Sequence, residues 1–198
     1  MNKTIDEEPR QYTVTVFTED KVGMLNRITI VFTRRHLNID SLTTSESEIK
    51  GIFRYTIVTK CTHSLIKKVV DQIEKLTEVL RACYYEEDDV IAQEIALYKI
   101  STRNLTKRDK SMEDIIREYN ARILDIEDGF IVIEKTGFKR ETQKLFEQLK
   151  PYGILQFARS GRVAVTKPIE ELTDYLEALA QAARTSNKIR NWKLTNVD

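Results

Sequence analysis

The sequence predicts an α+β protein with two ferredoxin-like βαββαβ domains and a C-terminal helix. Strand and helix periodicities alternate in the order β-α-β-β-α-β, and this order occurs twice along the chain. The length of 198 residues is enough for two small domains with separate hydrophobic cores. We therefore expect a polar arm over residues 1–10, a first domain over 11–88, a second over 89–167, and a helical extension and tail over 168–198.

The first domain begins with an amphipathic strand and an amphipathic helix. Residues 11–18 alternate, so that Tyr12, Val14 and Val16 share one face of a strand. Between positions 22 and 36, apolar residues recur at three- and four-residue steps, which predicts a helix. Its expected buried stripe is Val22, Leu25, Ile28, Val31 and Phe32.

The rest of the first domain follows the same pattern. Strands are predicted over 38–46, 52–60 and 79–85, and a helix over 64–77. The inward residues expected on this helix are Leu65, Val69, Ile73 and Leu76. The acidic run at 86–89 is interpreted as a solvated linker.

The second half repeats the element order with little sequence identity. Its predicted elements are strands over 94–101, 122–126, 130–135, 154–159 and 162–166, with helices over 111–120 and 142–149. A hairpin turn is expected at Glu127-Asp128-Gly129. Pro168 then starts an added helix that we expect to dock on the body or on a partner, with apolar residues at Ile169, Leu172, Leu176, Leu179 and Ala183. Trp192 is either a contact point or part of a loosely ordered end.

Composition restricts the function classes. The chain has 32 Lys and Arg against 31 Asp and Glu, a formal net charge of +1, which disfavours nucleic acid as the main partner. No apolar run is long enough to cross a bilayer, so no membrane partner is expected. The first residues lack the apolar core of a secretory signal, and Cys61 and Cys83 have no metal or redox spacing. We expect a reduced, cytoplasmic protein.

The residues needed for catalysis are not brought together by any sequence pattern. His36 and His63 are far apart, and neither belongs to a nucleophile–base arrangement, so surface or helix-capping roles are expected. The chain contains no GxGxxG or GxxxxGK[ST] phosphate loop. We predict no catalytic residue and no metal site.

A βαββαβ layout also occurs in RNA-binding domains, whose third strand carries RNA-stacking aromatic residues. Here Lys50-Gly51 matches the start of that pattern, but Phe53 and Tyr55 are one position out of phase. A shift of one residue turns a side chain to the other face of the sheet. Both aromatic residues are therefore expected in the core under the helices, and RNA binding is not expected.

Two short stretches outline a pocket for a small anion. Residues 17–27 run from a strand through a turn into a helix, and residues 34–43 lead from that helix into the next strand. A helix N-terminus offers unpaired N–H groups and partial positive charge, which suit a carboxylate. Gly23 permits close approach, and the Asn38 amide can both donate and accept hydrogen bonds.

These stretches resemble a known family. The pattern Asp20-x-x-Gly23-x-Leu25-x-Arg27, followed by a helix, resembles the first half of an ACT domain, a small-molecule sensing module of amino-acid metabolism. Leu37-Asn38-Ile39-Asp40-Ser41-Leu42-Thr43 and Phe157-Ala158-Arg159-Ser160-Gly161 resemble the regulatory small subunit of acetolactate synthase in particular. The likeness runs from about Gln11 to Lys167.

The resemblance implies a regulatory, non-catalytic role. Such a subunit binds the catalytic subunit of acetolactate synthase, activates it, and mediates feedback inhibition by a branched-chain amino acid, with valine expected. Thiamine diphosphate, FAD and Mg²⁺ would belong to the catalytic chain, leaving no cofactor on this one. The chain would form a homodimer through residues 11–88. The alternative is a free-standing ACT-type amino-acid sensor that regulates another biosynthetic enzyme.

The resemblance also implies an effector site shared between two protomers. One protomer would contribute Asp20, Lys21, Val22, Gly23, Met24 and Leu25, and the other Asn38 and Ile39, with Ser41 behind them. Each also has a structural interpretation: Asp20 as a helix cap, Gly23 as a packing residue, and Asn38 as a cap of the turn into its strand. The family commonly has Asn in place of Asp20 and Pro in place of Val22.

Arginine residues on the first predicted helix are candidates for contact with the catalytic subunit. Arg27, Arg34 and Arg35 lie outside its apolar stripe. Arginine is favoured at protein interfaces because its planar group pairs with carboxylates through two hydrogen bonds. The alternative is a solvated helix face.

Overall fold

The computed structural model describes residues 8–104, 111–167, 174, 175 and 177. The chain forms two compact units, the first ending at Ile91 and the second comprising Ala92–Val165, and the described residues from Thr166 onward belong to the first. Residues 1–7 of the predicted arm over 1–10, most of the predicted extension over 168–198 and the position of Trp192 lie outside the described residues. Each unit combines helices with an antiparallel sheet, which confirms the predicted α+β fold class.

The first unit has the ferredoxin-like order. Its elements are β1 (Arg10–Glu19), α1 (Met24–Thr33), β2 (Ser41–Glu46), β3 (Ile52–Cys61), α2 (His63–Ile73) and β4 (Val79–Tyr85). The strands lie in the order β2-β3-β1-β4. Strand β1 is antiparallel to both β3 and β4, so it occupies the interior of the sheet while β2 and β4 form its edges.

The core of the first unit lies between one face of this sheet and the two helices. Tyr12, Val14 and Val16 are fully buried there, as the alternation in β1 predicts. Tyr55 is buried in the same cluster and Phe53 packs against it, which confirms that the aromatic residues of β3 lie under the helices. This arrangement removes their rings from the opposite, helix-free face.

The predicted buried stripe of the first helix is partly wrong. Val22 is fully exposed and Leu25 is 42% exposed, whereas Met24 is 1% exposed and packs in the core. The helix begins at Met24, so Val22 lies in the preceding turn. Ile28, Val31 and Phe32 are buried as predicted. The apolar spacing is correct from Ile28 onward, but Val22 precedes the helix, and Leu25 lies within it on a partly exposed side.

Other element boundaries also differ from the prediction, among them the start of β2 and the end of α2. Strand β2 begins at Ser41 rather than at residue 38, because residues 38–40 form an irregular connection. Helix α2 ends at Ile73, and its most buried residues include Ile66 and Val70 in addition to the predicted Val69 and Ile73.

The second unit repeats the layout. Its elements are β5 (Val90–Ser101), α3 (Met112–Glu118), β6 (Arg122–Glu127), β7 (Phe130–Gly137), α4 (Lys139–Leu149), β8 (Ile154–Arg159) and β9 (Val163–Thr166). The strand order is β6-β7-β5-β8, and β9 also pairs with β5. Gly129 turns the β6–β7 hairpin with φ +94°. Tyr98, Ile115, Ile133 and Leu145 are buried in its core.

Helix α1 provides a direct test of the core assignment. Ile28→Ala removes a fully buried side chain and leaves a cavity, so we expect a loss of about 3 kcal/mol in the free energy of unfolding. Ile30→Ala on the same helix is the matched control, because Ile30 is 41% exposed. We expect this control to stay within about 0.5 kcal/mol of the wild type in urea denaturation. Equal losses in the two variants would contradict the assigned helix face.

Candidate functional site

The turn between β1 and α1 depends on a left-handed glycine. Gly23 occupies the N-cap position of α1 with φ +87° and ψ 0°. A Cβ at this position would meet no atom within 4 Å, so backbone conformation rather than crowding favours glycine. The connection between β2 and β3 also stabilises the turn, because the Asp20 N–H donates to the Gly51 carbonyl at 3.0 Å. The space above the turn is therefore open.

The N-terminal end of α1 is uncapped by side chains in the part of the chain that the structure describes. Gly23 has no side chain to accept a hydrogen bond at the cap, and the first turn of α1 contains no acidic residue. Of the first helical N–H groups, that of Met24 donates to the Lys21 carbonyl at 3.4 Å. The partial positive charge of this helix end thus lacks a carboxylate in that turn to offset it. Asp20 does not occupy the cap position, which makes its interpretation as the N-cap wrong.

Two ion pairs flank the turn. The Lys21 ammonium lies 2.6 Å from Glu19 Oε2, and the hydrogen bond to Glu19 raises the pKa of Lys21. The Arg27 guanidinium lies 2.5 Å from Glu78 Oε2, and the hydrogen bond from Arg27 lowers the pKa of Glu78. The Glu78 carbonyl also accepts from the Glu19 N–H at 3.0 Å.

Glu78 was missed in the sequence analysis. It precedes β4 and reaches the turn only because β4 lies beside β1 in the sheet. The local sequence carries no signal for this contact. The predicted ferredoxin-like fold was the one clue, since in that fold the fourth strand lies beside the first and antiparallel to it.

The side chains of the turn differ in what they can offer a ligand. Val22 is fully exposed and Leu25 is partly exposed, so both can contact a small molecule. The Met24 side chain is buried in the core, so only the Met24 backbone faces the turn. The Asp20 and Lys21 side chains are exposed. A ligand here would meet backbone groups first and apolar side chains second.

Asn38 and Ile39 lie in the connection between α1 and β2. The Asn38 side-chain amide donates to Asp40 Oδ1 at 2.9 Å, and the Asn38 carbonyl accepts from the buried Thr59 hydroxyl at 2.6 Å. Asn38 is exposed, and Ile39 is half-buried against the core. The bond to Asp40 gives Asn38 the turn-stabilising contact that its structural interpretation expects.

The strand register keeps residues 20–25 apart from Asn38 and Ile39 within one chain. Ser41 pairs with Val58, which pairs with Thr13 near the start of β1. At the other end, Glu46 pairs with Phe53, which pairs with Thr18 just before the turn. Five residues of strand separate Thr13 from Thr18, a distance of about 17 Å. The structure therefore brings residues 20–25 together and leaves Asn38 and Ile39 at the opposite end of the sheet.

The arginine residues on and after α1 have different partners. Arg27 is tied to Glu78, as described above, and Arg34 is exposed at the end of the helix. Arg35 donates to the Val31 carbonyl at 3.4 Å and to the Lys68 carbonyl at 3.5 Å. The three side chains thus do not form one uniform solvated face.

The second-half sequence motif has a structural role in its own unit. The Ser160 N–H donates to the Ile95 carbonyl at 2.8 Å, and the Ile95 N–H donates to the Ser160 hydroxyl at 2.9 Å. Arg159 lies 3.5 Å from the buried Glu94 carboxylate and donates to the Thr142 hydroxyl at 3.4 Å. These contacts tie the end of β8 to β5 and α4.

The two histidines lie apart from the turn. His63 packs edge-on against Tyr84, with ring centroids 5.6 Å apart, and tilted against Tyr12 at 6.3 Å. His36 is an exposed residue with φ 54° after α1. Across the described ranges, no group of three or more His, Cys, Asp or Glu side chains is arranged to hold a metal ion. None of the helices described there is long and apolar enough to span a membrane.

Comparisons with known proteins cover both halves of the chain. The model of an AHAS small subunit-like ACT domain matches residues 14–81, and the model of the small subunit of acetolactate synthase matches residues 93–168. The acetolactate synthase small subunit of Mycolicibacterium smegmatis is 34% identical over 156 residues, covering 79% of this chain and 91% of that protein. The Bacillus subtilis acetolactate synthase small subunit is 31% identical, covering 80% and 91%. The crystal structure of the Thermotoga maritima small subunit matches with a TM-score of 0.73 and 25% identity, covering 81% of this chain and 99% of that one.

The Arg27–Glu78 pair predicts a pH dependence of stability. Because Arg27 lowers the pKa of Glu78 in the folded state, the pair stabilises the protein above the ordinary glutamate pKa of 4.5, and this contribution is lost as the pH falls through the lower folded value. The difference in unfolding free energy between wild type and Glu78→Gln should therefore shrink below pH 4.5. Urea denaturation across pH 3–7 measures it. A difference independent of pH would contradict the pairing.

Proposed function

Because this chain belongs to the family of acetolactate synthase small subunits, we propose that it is the regulatory subunit that binds the catalytic chain, raises its activity and transmits feedback inhibition by a branched-chain amino acid, with valine as the expected effector. The thiamine diphosphate, FAD and Mg²⁺ of the reaction would be held by the catalytic chain. The complex would work in the cytoplasm. The family match over both halves favours this function over a free-standing sensor.

The observation that carries the effector proposal is the uncapped start of α1 behind Gly23. A carboxylate seated there would accept hydrogen bonds from the first N–H groups of the helix and offset its partial positive charge. The exposed side chains of Val22 and Leu25 would contact the aliphatic part of the amino acid. A small apolar α-amino acid fits this combination in chemical class.

A second copy of the chain would complete the site. Asn38 and Ile39 of one protomer lie at the opposite end of its sheet from its own turn, so only a partner can supply them to that turn. Strand β2 is an edge of the first sheet, and an open edge can pair with another copy. We propose a homodimer through residues 11–88 on this basis. Light scattering at micromolar concentration tests it, and a monomer would contradict it.

Placing the site at a dimer interface would couple effector binding to regulation. An effector can shift an equilibrium only as far as its affinities for the two states differ. A ligand held between two protomers binds more tightly to the arrangement that aligns both halves of its site. The difference in affinity would couple effector binding to the activity of the catalytic chain, and its size is a coupling free energy.

Asp20 should weaken the binding of an effector carboxylate. An ionised Asp accepts hydrogen bonds and repels an anion, whereas Asn can donate. The nearby Lys21 ammonium is paired with Glu19 and is therefore less available to offset this repulsion. The subunit would then activate its partner while responding weakly to valine.

Calorimetry with valine tests the effect of Asp20. We expect Asp20→Asn to bind valine about tenfold more tightly than the wild type, because one like-charge contact is replaced by a hydrogen bond to a charged group. Asp128→Asn is a matched control, since Asp128 is an exposed Asp in the β6–β7 turn of the second unit. Equal tight binding by wild type and Asp20→Asn would contradict the role given to Asp20.

Reconstitution with the purified catalytic subunit tests the regulatory function. We expect the wild-type chain to raise acetolactate formation, and no change in rate would contradict the proposal. Arg27 and Arg34 are the proposed contacts with the catalytic chain. Arg34→Ala, at an exposed position, should reduce activation without affecting stability.

Arg27→Ala requires a matched control because Arg27 also pairs with Glu78. Glu78→Gln weakens the same ion pair but leaves the arginine in place. If Arg27 contacts the catalytic chain, Arg27→Ala should raise the concentration needed for half-activation more than Glu78→Gln does. If Arg27→Ala forms an intact dimer and activates as well as the wild type, another part of the chain contacts the catalytic subunit.

A further inference from the structure

The helix-free face of the first sheet is unusually well buried. Residues alternate along a strand, so Thr13 and Thr15 point away from the core that Tyr12 and Val14 form with the helices. Thr15 is paired with Thr56, and Thr13 with Val58, which places these side chains on the same outer face. Their exposed fractions are 1% for Thr13, 4% for Thr15, 5% for Thr56 and 3% for Val58. Since α1 and α2 lie on the other side, something else covers this face.

Strand β4 extends the same outer face. Cys83 pairs with Thr15, and Arg81 pairs with Phe17, so both side chains project to the side away from α1 and α2. The Arg81 Nε–H donates to Cys83 Sγ at 3.2 Å. Further along the same row, the Arg54 guanidinium lies 5.6 Å from the centre of the Phe17 ring. We call this surface, formed by the outward residues of β1, β3 and β4, the back face.

Tyr175 reaches the back face from the C-terminal part of the chain. Asp174, Tyr175 and Glu177 are helical, and the Arg81 guanidinium lies 4.4 Å from the centre of the Tyr175 ring. Burial raises the pKa of Tyr175, and the nearby Glu74 carboxylate raises it further. The tyrosine is thus in contact with β4 itself rather than projecting into solvent.

The chain after β9 returns to the first unit. The Lys167 N–H donates to the Asp89 carbonyl at 2.9 Å, which brings the polypeptide back beside the residues that follow β4. The family model for the second half ends at residue 168, so Tyr175 lies beyond the part shared with that family. In a helix, the sequence spacing would put Leu172 and Leu179, three residues before and four after Tyr175, on the same side as Tyr175.

We propose that the back face of the first sheet is a docking surface for this chain's own segment after Lys167, with Tyr175 anchored on Arg81. The stacked pair supplies a cation–π contact, and the leucines would add apolar contact area. While the segment is docked, no second copy and no other protein can use the covered part of this face. A dimer would then have to form elsewhere on the first unit, for which the β2 edge remains.

The labelling rates of the two cysteines test whether the segment after Lys167 covers the back face. Cys83 lies on the back face beside Arg81, whereas Cys61 is buried in the core, where burial raises its thiol pKa to about 11. Labelling with N-ethylmaleimide, followed by mass spectrometry of the two cysteine peptides, gives the rate at each thiol. The ratio of the Cys83 rate to the Cys61 rate separates uncovering of the back face from unfolding of the whole unit.

Tyr175→Ala should raise this ratio about tenfold, because losing the anchor favours local opening of the segment. Tyr175→Phe is the matched control, since it keeps the ring face over Arg81, and should leave the ratio close to the wild-type value. A wild-type ratio in Tyr175→Ala would overturn the proposal and assign the cover of the back face to another part of the chain. An equal rise in both variants would overturn the role of the ring as the anchor.

Discussion

Strand β1 is hydrogen-bonded on both sides, to β3 over its whole length and to β4 over most of it. This double pairing fixes the position of both ends of the strand. At its end, the chain must turn into α1 beside Gly51 and Glu78, and Gly23 permits that turn through a positive φ. At its beginning, the register through β3 places the start of β2, and with it Asn38, alongside. The separation of the two halves of the candidate site is therefore a consequence of strand pairing.

Sequence periodicity predicted the layers of the fold because burial on one face produces it. The alternation at Tyr12, Val14 and Val16 admits one interpretation, since a shift of one residue would bury threonines in the core. The start of α1 was harder to predict because Val22, Met24 and Leu25 are all apolar. Only the left-handed conformation of Gly23 decides which of them enters the helix and the core. Periodicity cannot detect such a conformational boundary.

The candidate site was predictable where its residues are local and unpredictable where they are distant. Residues 20–25 were identified because a polar turn with a glycine before a helix is a contiguous pattern. Glu78 and Gly51 were not, because they reach the turn through sheet pairing and through one backbone hydrogen bond. Asn38 was identified by resemblance, and its bond to Asp40 is a local contact of two exposed side chains. The back-face contact of Tyr175 had no sequence signal beyond an apolar helical stripe.

Each effector site should need two copies of the chain, and a mixed-dimer experiment tests this requirement most directly. Both variants carry Asp20→Asn, which should bind valine more tightly than the wild type. Val22→Glu puts a negative charge at a fully exposed position of the turn, and Asn38→Ala removes the amide at the other end of the sheet. Each variant alone should lose valine binding, because both sites of its dimer carry one defect. After unfolding and refolding the two variants together, half of the dimers should be mixed, each with one intact site, so roughly a quarter of all sites should bind valine again by calorimetry. Binding that remains absent from the refolded mixture while mixed dimers are present would contradict the shared site.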